Sequence, residues 1–384
     1  MLPLIITFLL SLCFDCNPVS LMKKSIIILA AILSASLQVY ASDKRGGEDQ
    51  PSSYSIVILG DTHFDAAPDS IYHTGYSDPN PKREANHRKE FARNAAMWKE
   101  RIPRLLQRAS SLITEDTRMV FQTGDLIQGD TGCASDHKKM LADASSIIRQ
   151  ALSTDLPVIT VAGNHDLRSA DDKVSARAYE EYMCEAMSRE LGKTVTRSTF
   201  SFNIGPDAFI AINFTYPDDA LIERLLEETS GARYTFLLIH SPVFPYDDVK
   251  YWNWYLHGRD KDTRARDRLL GLFAGRNVIV LCGHTHMTEF FDWTGMGGRI
   301  TQMTMNSVWS KEEIGTYSVL REGPQQYGTI RPDTPLFDEF RPGLQRYVLS
   351  RAAGSYRLNV SDEGVTVDFY AGDSEQCSNK FVLR

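Results

Sequence analysis

The sequence predicts an α/β fold. Short runs rich in Ile, Val, Leu and Phe alternate with longer stretches whose apolar residues recur at helical spacing. The length, 384 residues, allows one large hydrophobic core. Composition agrees: 42% hydrophobic, 24% charged and a mean hydropathy of −0.28 exclude collagen-like, disordered and polytopic membrane chains. No internal repeat or low-complexity tract interrupts the pattern.

The first 41 residues stand apart. Leu4–Phe14 and Ile26–Leu37 are apolar, yet each is shorter than the about 20 residues that cross a bilayer. Met22-Lys23-Lys24, the Ile/Leu/Ala-rich run behind it and Val39-Tyr40-Ala41 follow the order of an export signal: basic, apolar, small-residue cleavage site. The expectation is a biological start at Met22, a targeting segment over 1–41 and one domain over 42–384. No membrane span then remains after cleavage. The net charge of −7, with no Lys/Arg-rich run in 42–384, argues against nucleic acid as a partner. Export permits oxidation of some of Cys133, Cys184 and Cys377, whereas Cys282 ends an apolar run and reads as a buried thiol.

Within the domain, strands are expected at Ser55–Leu59, Met119–Gln122, Val158–Val161, Ala208–Asn213, Thr235–Ile239 and Val278–Cys282. Arg88–Ile113 has helical spacing through Phe91, Ala95, Trp98, Ile102, Leu105 and Leu106, with Pro103 kinking or dividing it. Further helices are expected at Lys138–Leu152, Ala176–Leu191, Asp219–Glu228 and Thr263–Phe273. The acidic pairs Asp171-Asp172 and Asp218-Asp219 read as helix N-terminal charge. Phe64–His87 and Pro242–Asp262 read as long loops. A strand-rich extension begins near 300, with runs at Ile300–Asn306, Ser355–Val360 and Val365–Tyr370.

The residues just past the apolar runs are the informative ones. "IVILGDTH" delivers Asp61 and His63, "VFQTGD" Asp125, and "ITVAGNHD" Asn164, His165 and Asp166. "FLLIH" delivers His240, and "IVLCGHTH" His284 and His286, so five of the nine histidines sit at expected strand ends. In α/β sheets ligands bind beyond the carboxyl ends of strands, and residues i and i+2 of an extended segment point the same way. Imidazole, carboxylate and amide oxygen together suit Mn, Fe or Zn. The seven converging ligands, one carboxylate shared, exceed one tetrahedral ion and fit a pair about 3.5–4 Å apart.

In order, Asp-x-His, Gly-Asp, Gly-Asn-His-Asp, His and Gly-His-x-His resemble the calcineurin-like metallophosphoesterase superfamily, from Ile56 to His286. The resemblance implies a four-layer sandwich of two mixed sheets flanked by helices. It implies one divalent or trivalent ion on Asp61, His63 and His286, a second on Asn164, His240 and His284, and Asp125 between them. It makes His165 the residue that faces the leaving group, with Asp166 as candidate partner. The reaction implied is attack of a metal-activated hydroxide on phosphorus.

Departures from the family narrow the reading. Protein phosphatases of this superfamily carry an Asp and an Arg shortly after the Gly-Asp motif; here the chain reads Leu126-Ile127-Gln128-Gly129-Asp130. The tyrosine of purple acid phosphatases falls at Gln128, so a colourless site is expected. The set is closer to phosphodiesterases, and the expected reaction is hydrolysis of a phosphodiester or a phosphomonoester in a small phosphorylated substrate. A nucleotidase or pyrophosphatase is the alternative, and a non-catalytic binding module the third. Arg168, His73 and Trp252 are candidate substrate contacts, set against a salt bridge, a surface histidine and aromatic packing. His87, His137 and His257 read as surface histidines, and Trp98 as core.

Overall fold

A computed structural model describes residues 52–66, 71–245, 263–308, 319–327 and 335–384. The expected targeting segment, Trp252 and His257 lie outside them. Strands β1 (Tyr54–Leu59), β2 (Thr117–Gln122) and β3 (Val158–Thr160) run parallel in one sheet. The second sheet holds β4 (Phe200–Ile204), β5 (Asp207–Ile212), β6 (Thr235–Ile239), β7 (Ile279–Cys282), β8 (Thr288–Gly295), β9 (Gly298–Thr304), β10 (Val319–Glu322) and β11 (Leu344–Ser350). The chain then returns to the first sheet with β12 (Gly354–Ser361), β13 (Gly364–Ala371) and β14 (Asn379–Val382).

The first sheet has the order β14-β13-β12-β1-β2-β3 and the second β10-β11-β8-β9-β7-β6-β5-β4. Both are mixed. β5, β6, β7 and β9 pair in parallel, while β12 joins β1 antiparallel. The two sheets face each other, as the alternation along β6 shows. Phe236 and Leu238 join a core shared with Ile58, Phe121 and Leu358 of the first sheet. Leu237 and Ile239 join a second core with Leu225, Leu269 and Phe273 from the helices outside. Burial on both faces explains why these strands are continuously apolar. The fold is the four-layer α/β sandwich that the motif order implied.

The helices on the first sheet are α1 (Pro81–Glu100), α2 (Ile102–Ser110), α3 (Ala134–Leu152) and α4 (Asp172–Leu191). On the second lie α5 (Asp219–Glu228) and α6 (Thr263–Gly275), with α7 (Pro335–Phe340) short. Asp171 and Asp218 cap α4 and α5 by accepting from first-turn N–H groups. The long helical pattern divides at Arg101, and Pro103 sits in the first turn of α2, where its missing N–H costs nothing.

The observed elements differ from the expected ones at the start of α1 and at β8 and β11. The loop after Phe64 is shorter than expected, because α1 begins at Pro81 and not at Arg88. Asn80 caps it by accepting from the amides of Lys82 and Arg83, and its first turns are charged and exposed, so they carry no apolar period. The strand-rich stretch expected from about 300 corresponds to β9 to β14, which complete both sheets. β8 is not apparent in the sequence because Glu289 and Asp292 break its apolar run, nor β11 because Gln345 and Arg346 break its own. Both acids are buried in the sheet against Tyr347 (2.9 Å) and Arg299 (2.7 Å).

His137 is not a surface residue. It is fully buried on α3, with Nδ1 3.1 Å from the Thr131 hydroxyl and Nε2 2.7 Å from the Asp166 carbonyl. A carbonyl only accepts, so Nε2 carries the proton and Nδ1 accepts, which is the neutral ring. Burial holds its pKa down at about 4, against 6.5 unfolded. The folded state therefore resists protonation where the unfolded chain accepts it, and stability falls as pH drops from about 6.5 towards 4. The loss attributable to this ring is about 3 kcal/mol. His137→Gln should be less stable at pH 7 but lose less between pH 7 and 5, by urea denaturation; equal losses in both proteins would contradict the assignment.

Candidate metal centre

The carboxyl ends of β1, β2 and β3 meet those of β6 and β7. Each strand ends on a glycine or a polar residue that turns the chain out of the sheet. Asp61 and His63 come after β1, Asp125 after β2, Asn164 and His165 after β3, His240 after β6, and His284 and His286 after β7.

These side chains form two groups. In the first, His286 Nε2 lies 3.1 Å from His63 Nε2 and 3.1 Å from Asp61 Oδ2. In the second, His240 Nε2 lies 3.2 Å from Asp125 Oδ2, 3.2 Å from Asn164 Oδ1 and 3.1 Å from His284 Nδ1. Asp125 Oδ2 stands between the groups, 3.8 Å from His63 Nε2. Its Oδ1 accepts from the amide of His165 at 2.7 Å.

The tautomers make the second group unusual. His240 Nδ1 is 2.9 Å from the Thr123 carbonyl, which can only accept, so that nitrogen bears the proton. Nε2 then turns a lone pair towards a carboxylate oxygen and an amide oxygen. In the neutral ring acceptors converge there, and a cation, either a proton on Nε2 or a metal ion, is the group that offsets them. The donor set is nitrogen and oxygen with no thiolate, which suits Mn, Fe or Zn and differs from closed cysteine-rich zinc sites. The fold brings the seven expected residues together in two groups, with His165 also close to His63 and Asp125.

Burial and charge act in the same sense. Burial, then the neighbouring His165, holds His63 well below the ordinary imidazole range, and burial with His240 does so for His284. Burial pushes Asp125 up, but the charges of His240 and His165 outweigh it and leave the carboxyl well below its usual range. For His240, burial is likewise overcome by Asp125 and Asp61, which raise it to about 9. A field that attracts a proton there also attracts a metal ion, and the two compete.

Four of the seven candidate ligands adopt left-handed backbone: His63 (φ 41°), Asp125 (51°), His284 (74°) and His286 (54°). Each costs on the order of 1–2 kcal/mol in a non-glycine residue. Other contacts hold them there. The Asp125 carbonyl accepts from the amides of Thr62 (3.1 Å) and His63 (2.8 Å), and Trp98 Nε1 donates to the Thr62 and His63 carbonyls (2.9 and 3.2 Å). The amide of His284 donates to Asp61 Oδ2 at 3.1 Å. Gly163 lets the β3 loop press on Asp125, since a Cβ there would overlap its amide nitrogen and carboxylate.

His165 stands beside this cluster, its ring edge-on to His63 with centroids 4.4 Å apart. Its partner is the Gln128 carbonyl, 2.9 Å from Nδ1, and not Asp166. Asp166 is fully buried, and its carboxylate accepts from the amides of Ile127 (3.1 Å) and Gly163 (2.9 Å), tying the β3 loop to the β2 loop. That corrects the catalytic role expected for it. His73 is also no substrate contact: it is buried, stacked on Phe91 at 3.7 Å, and bound to Asp65 (2.9 Å) and the Asp130 carbonyl (2.9 Å). Arg168 forms the salt bridge weighed against substrate contact, to Asp130 (2.5 Å) and Glu90 (3.3 Å). His87 is partly buried against Tyr76 at 2.5 Å. Sequence reasoning missed Thr123, Gln128 and Phe214, whose ring lies 5.6 and 5.9 Å from those of His240 and His284.

The family profile of calcineurin-like phosphoesterases matches residues 54–288. No curated protein matches the chain. Among solved structures, that of PhoD is 12% identical, covers 87% of this chain and 69% of its own, and has a TM-score of 0.51. GAP50, the anchor in the inner membrane complex of Plasmodium, is 11% identical with 87% and 89% covered and a TM-score of 0.46. A putative 5′-nucleotidase from Staphylococcus aureus is 12% identical with 67% and 49% covered and a TM-score of 0.36. At such identities the first is a likeness of fold, and the other two carry no argument.

If the acceptor cluster needs cations, metal binding must stabilise the fold. Chelated protein titrated with Mn or Zn should gain about 2.7 kcal/mol per site at a free metal concentration of 100 Kd, read as a rise in Tm. Gly163→Ala, which displaces Asp125, should lose most of that gain; a full gain in this variant would show that Asp125 is not a ligand.

Proposed function

The chain belongs to the calcineurin-like phosphoesterase family, whose members are metal-dependent hydrolases of phosphoester bonds, and from that premise we propose an exported phosphodiesterase acting on small substrates at the Asp125 centre. The observation that carries the site is the set of acceptors converging on both sides of Asp125. Asp61, His63 and His286 would hold one ion, Asn164, His240 and His284 the second, and Asp125 would contact both. Bound there, Mn, Fe or Zn ions supply a water acidified towards a pKa of ~7 and neutralise phosphoryl charge.

The chain's own residues supply the rest. The Asp125 carboxyl, held well below its usual range, supplies negative charge, and the buried rings of His63 and His284, held well below the imidazole range, offer lone pairs. His165, with Nδ1–H fixed by the Gln128 carbonyl, would act as the imidazolium, giving the second proton, on Nε2, to the departing alkoxide and returning to the neutral Nδ1–H ring. A monoanionic diester is favoured over a dianionic monoester because Arg168, the cation beside His165, is already neutralised by Asp130 and Glu90. Export rests on the basic, apolar and small-residue order from Met22 to Ala41.

The test compares bis-p-nitrophenyl phosphate with p-nitrophenyl phosphate on Mn-, Fe- or Zn-loaded protein. The diester should give the larger kcat/KM, and Asp125→Ala should lower it by at least about 10²-fold. A monoester preference would overturn the diester assignment. Unchanged turnover in Asp125→Ala would sink the site.

A further inference from the structure

His165 is aimed by a backbone carbonyl, so its aim depends on whatever holds that carbonyl. The Gln128 oxygen only accepts; Nδ1 of His165 therefore keeps its proton and Nε2 faces the reaction. Gln128 itself is almost fully buried, and its side-chain amide is gripped from α1. Asn94 Nδ2 donates to Gln128 Oε1, and Gln128 Nε2 donates to Glu90 Oε2 at 3.2 Å. Glu90 and Asn94 stand one turn apart on the same face of the helix. The Gln128 amide donates to the Phe64 carbonyl at 3.0 Å, and that of Asp130 to the Arg168 carbonyl at 2.8 Å. The turn at Gln128 is thereby fastened to the helix on one side and to the His165 loop on the other.

We propose that Asn94 and Glu90 are positioning residues. Through the Gln128 side chain they fix the carbonyl that holds Nδ1–H and so the direction of the His165 ring, and α1 thereby controls how the imidazolium presents its Nε2 proton to the leaving group. The inference rests on His165 acting as that acid.

The clamp has a polarity that can be reversed. Asn94 donates and Glu90 accepts, with the Gln128 amide oriented between them. Asn94→Asp places an acceptor against Gln128 Oε1, and flipping the amide only sets that oxygen against Glu90. Adding Glu90→Gln restores a donor and an acceptor with the amide turned round and the total charge unchanged. A role in bulk stability alone would affect all substrates alike. A role in aiming the acid penalises poor leaving groups, because p-nitrophenolate departs almost unaided and phenolate does not.

The experiment measures kcat for phenyl and p-nitrophenyl esters of the ester class the enzyme turns over, with metal content and Tm alongside. His165→Ala should lower the phenyl rate about 10²-fold or more and the p-nitrophenyl rate far less. Asn94→Asp and Gln128→Met should shift the same ratio by about tenfold, since misplacement by about 1 Å can cost 10²-fold. Asn94→Asp/Glu90→Gln should return the ratio to within about twofold of wild type. If His165→Ala leaves the ratio unchanged, the acid assignment fails and takes the clamp with it. If His165→Ala shifts the ratio but Asn94→Asp and Gln128→Met do not, the clamp alone is overturned. The same holds if the double variant, with wild-type metal content and Tm, fails to recover the ratio.

Discussion

Imidazole nitrogens and carboxylate and amide oxygens held 3.1–3.2 Å apart are the constraint on which this structure depends. Asp125 is where the constraint concentrates. Its carbonyl holds the β1 loop, one carboxylate oxygen holds the β3 loop, and the other faces imidazoles from both sheets. Its backbone is left-handed, as are those of three neighbouring ligands. Strain and repulsion at one point are tolerable only when the surroundings are over-determined and a cation offsets the convergence of charge.

The sandwich supplies that over-determination. Parallel strands buried on both faces end at one level, and their ends cannot shift without disturbing two cores. Each loop is fastened to another, Asp166 tying the β3 loop to that of β2 and Trp98 tying α1 to the β1 loop. Several of these ties are made by residues with no reactive role. Asp166 is the instructive one: a carboxyl group next to His165 in sequence serves here as an internal clamp between loops.

Much of the centre was legible in the sequence because its signal is local. An apolar run, then a glycine, then Asp or His, is readable within eight residues, and all seven expected ligands converge. The features that were not legible depend on distant pairing. The Gln128 carbonyl that aims His165 has no side-chain signature. His73 and His137 look like surface residues until Asp65, Asp130, Thr131 and Asp166 are brought to them across loops. β8 was hidden by acids that find Tyr347 and Arg299 only in the sheet. The start of α1 was hidden by a charged exposed face, although Asn80-Pro81 marked it.

The central claim is that Asp125 joins two ions. Electron paramagnetic resonance of the manganese-loaded protein tests it most directly. Two ions per chain with an exchange-coupled spectrum, giving way to isolated-ion signals in Asp125→Asn, is the predicted result. One ion per chain, or two uncoupled ions in the wild type, would contradict it.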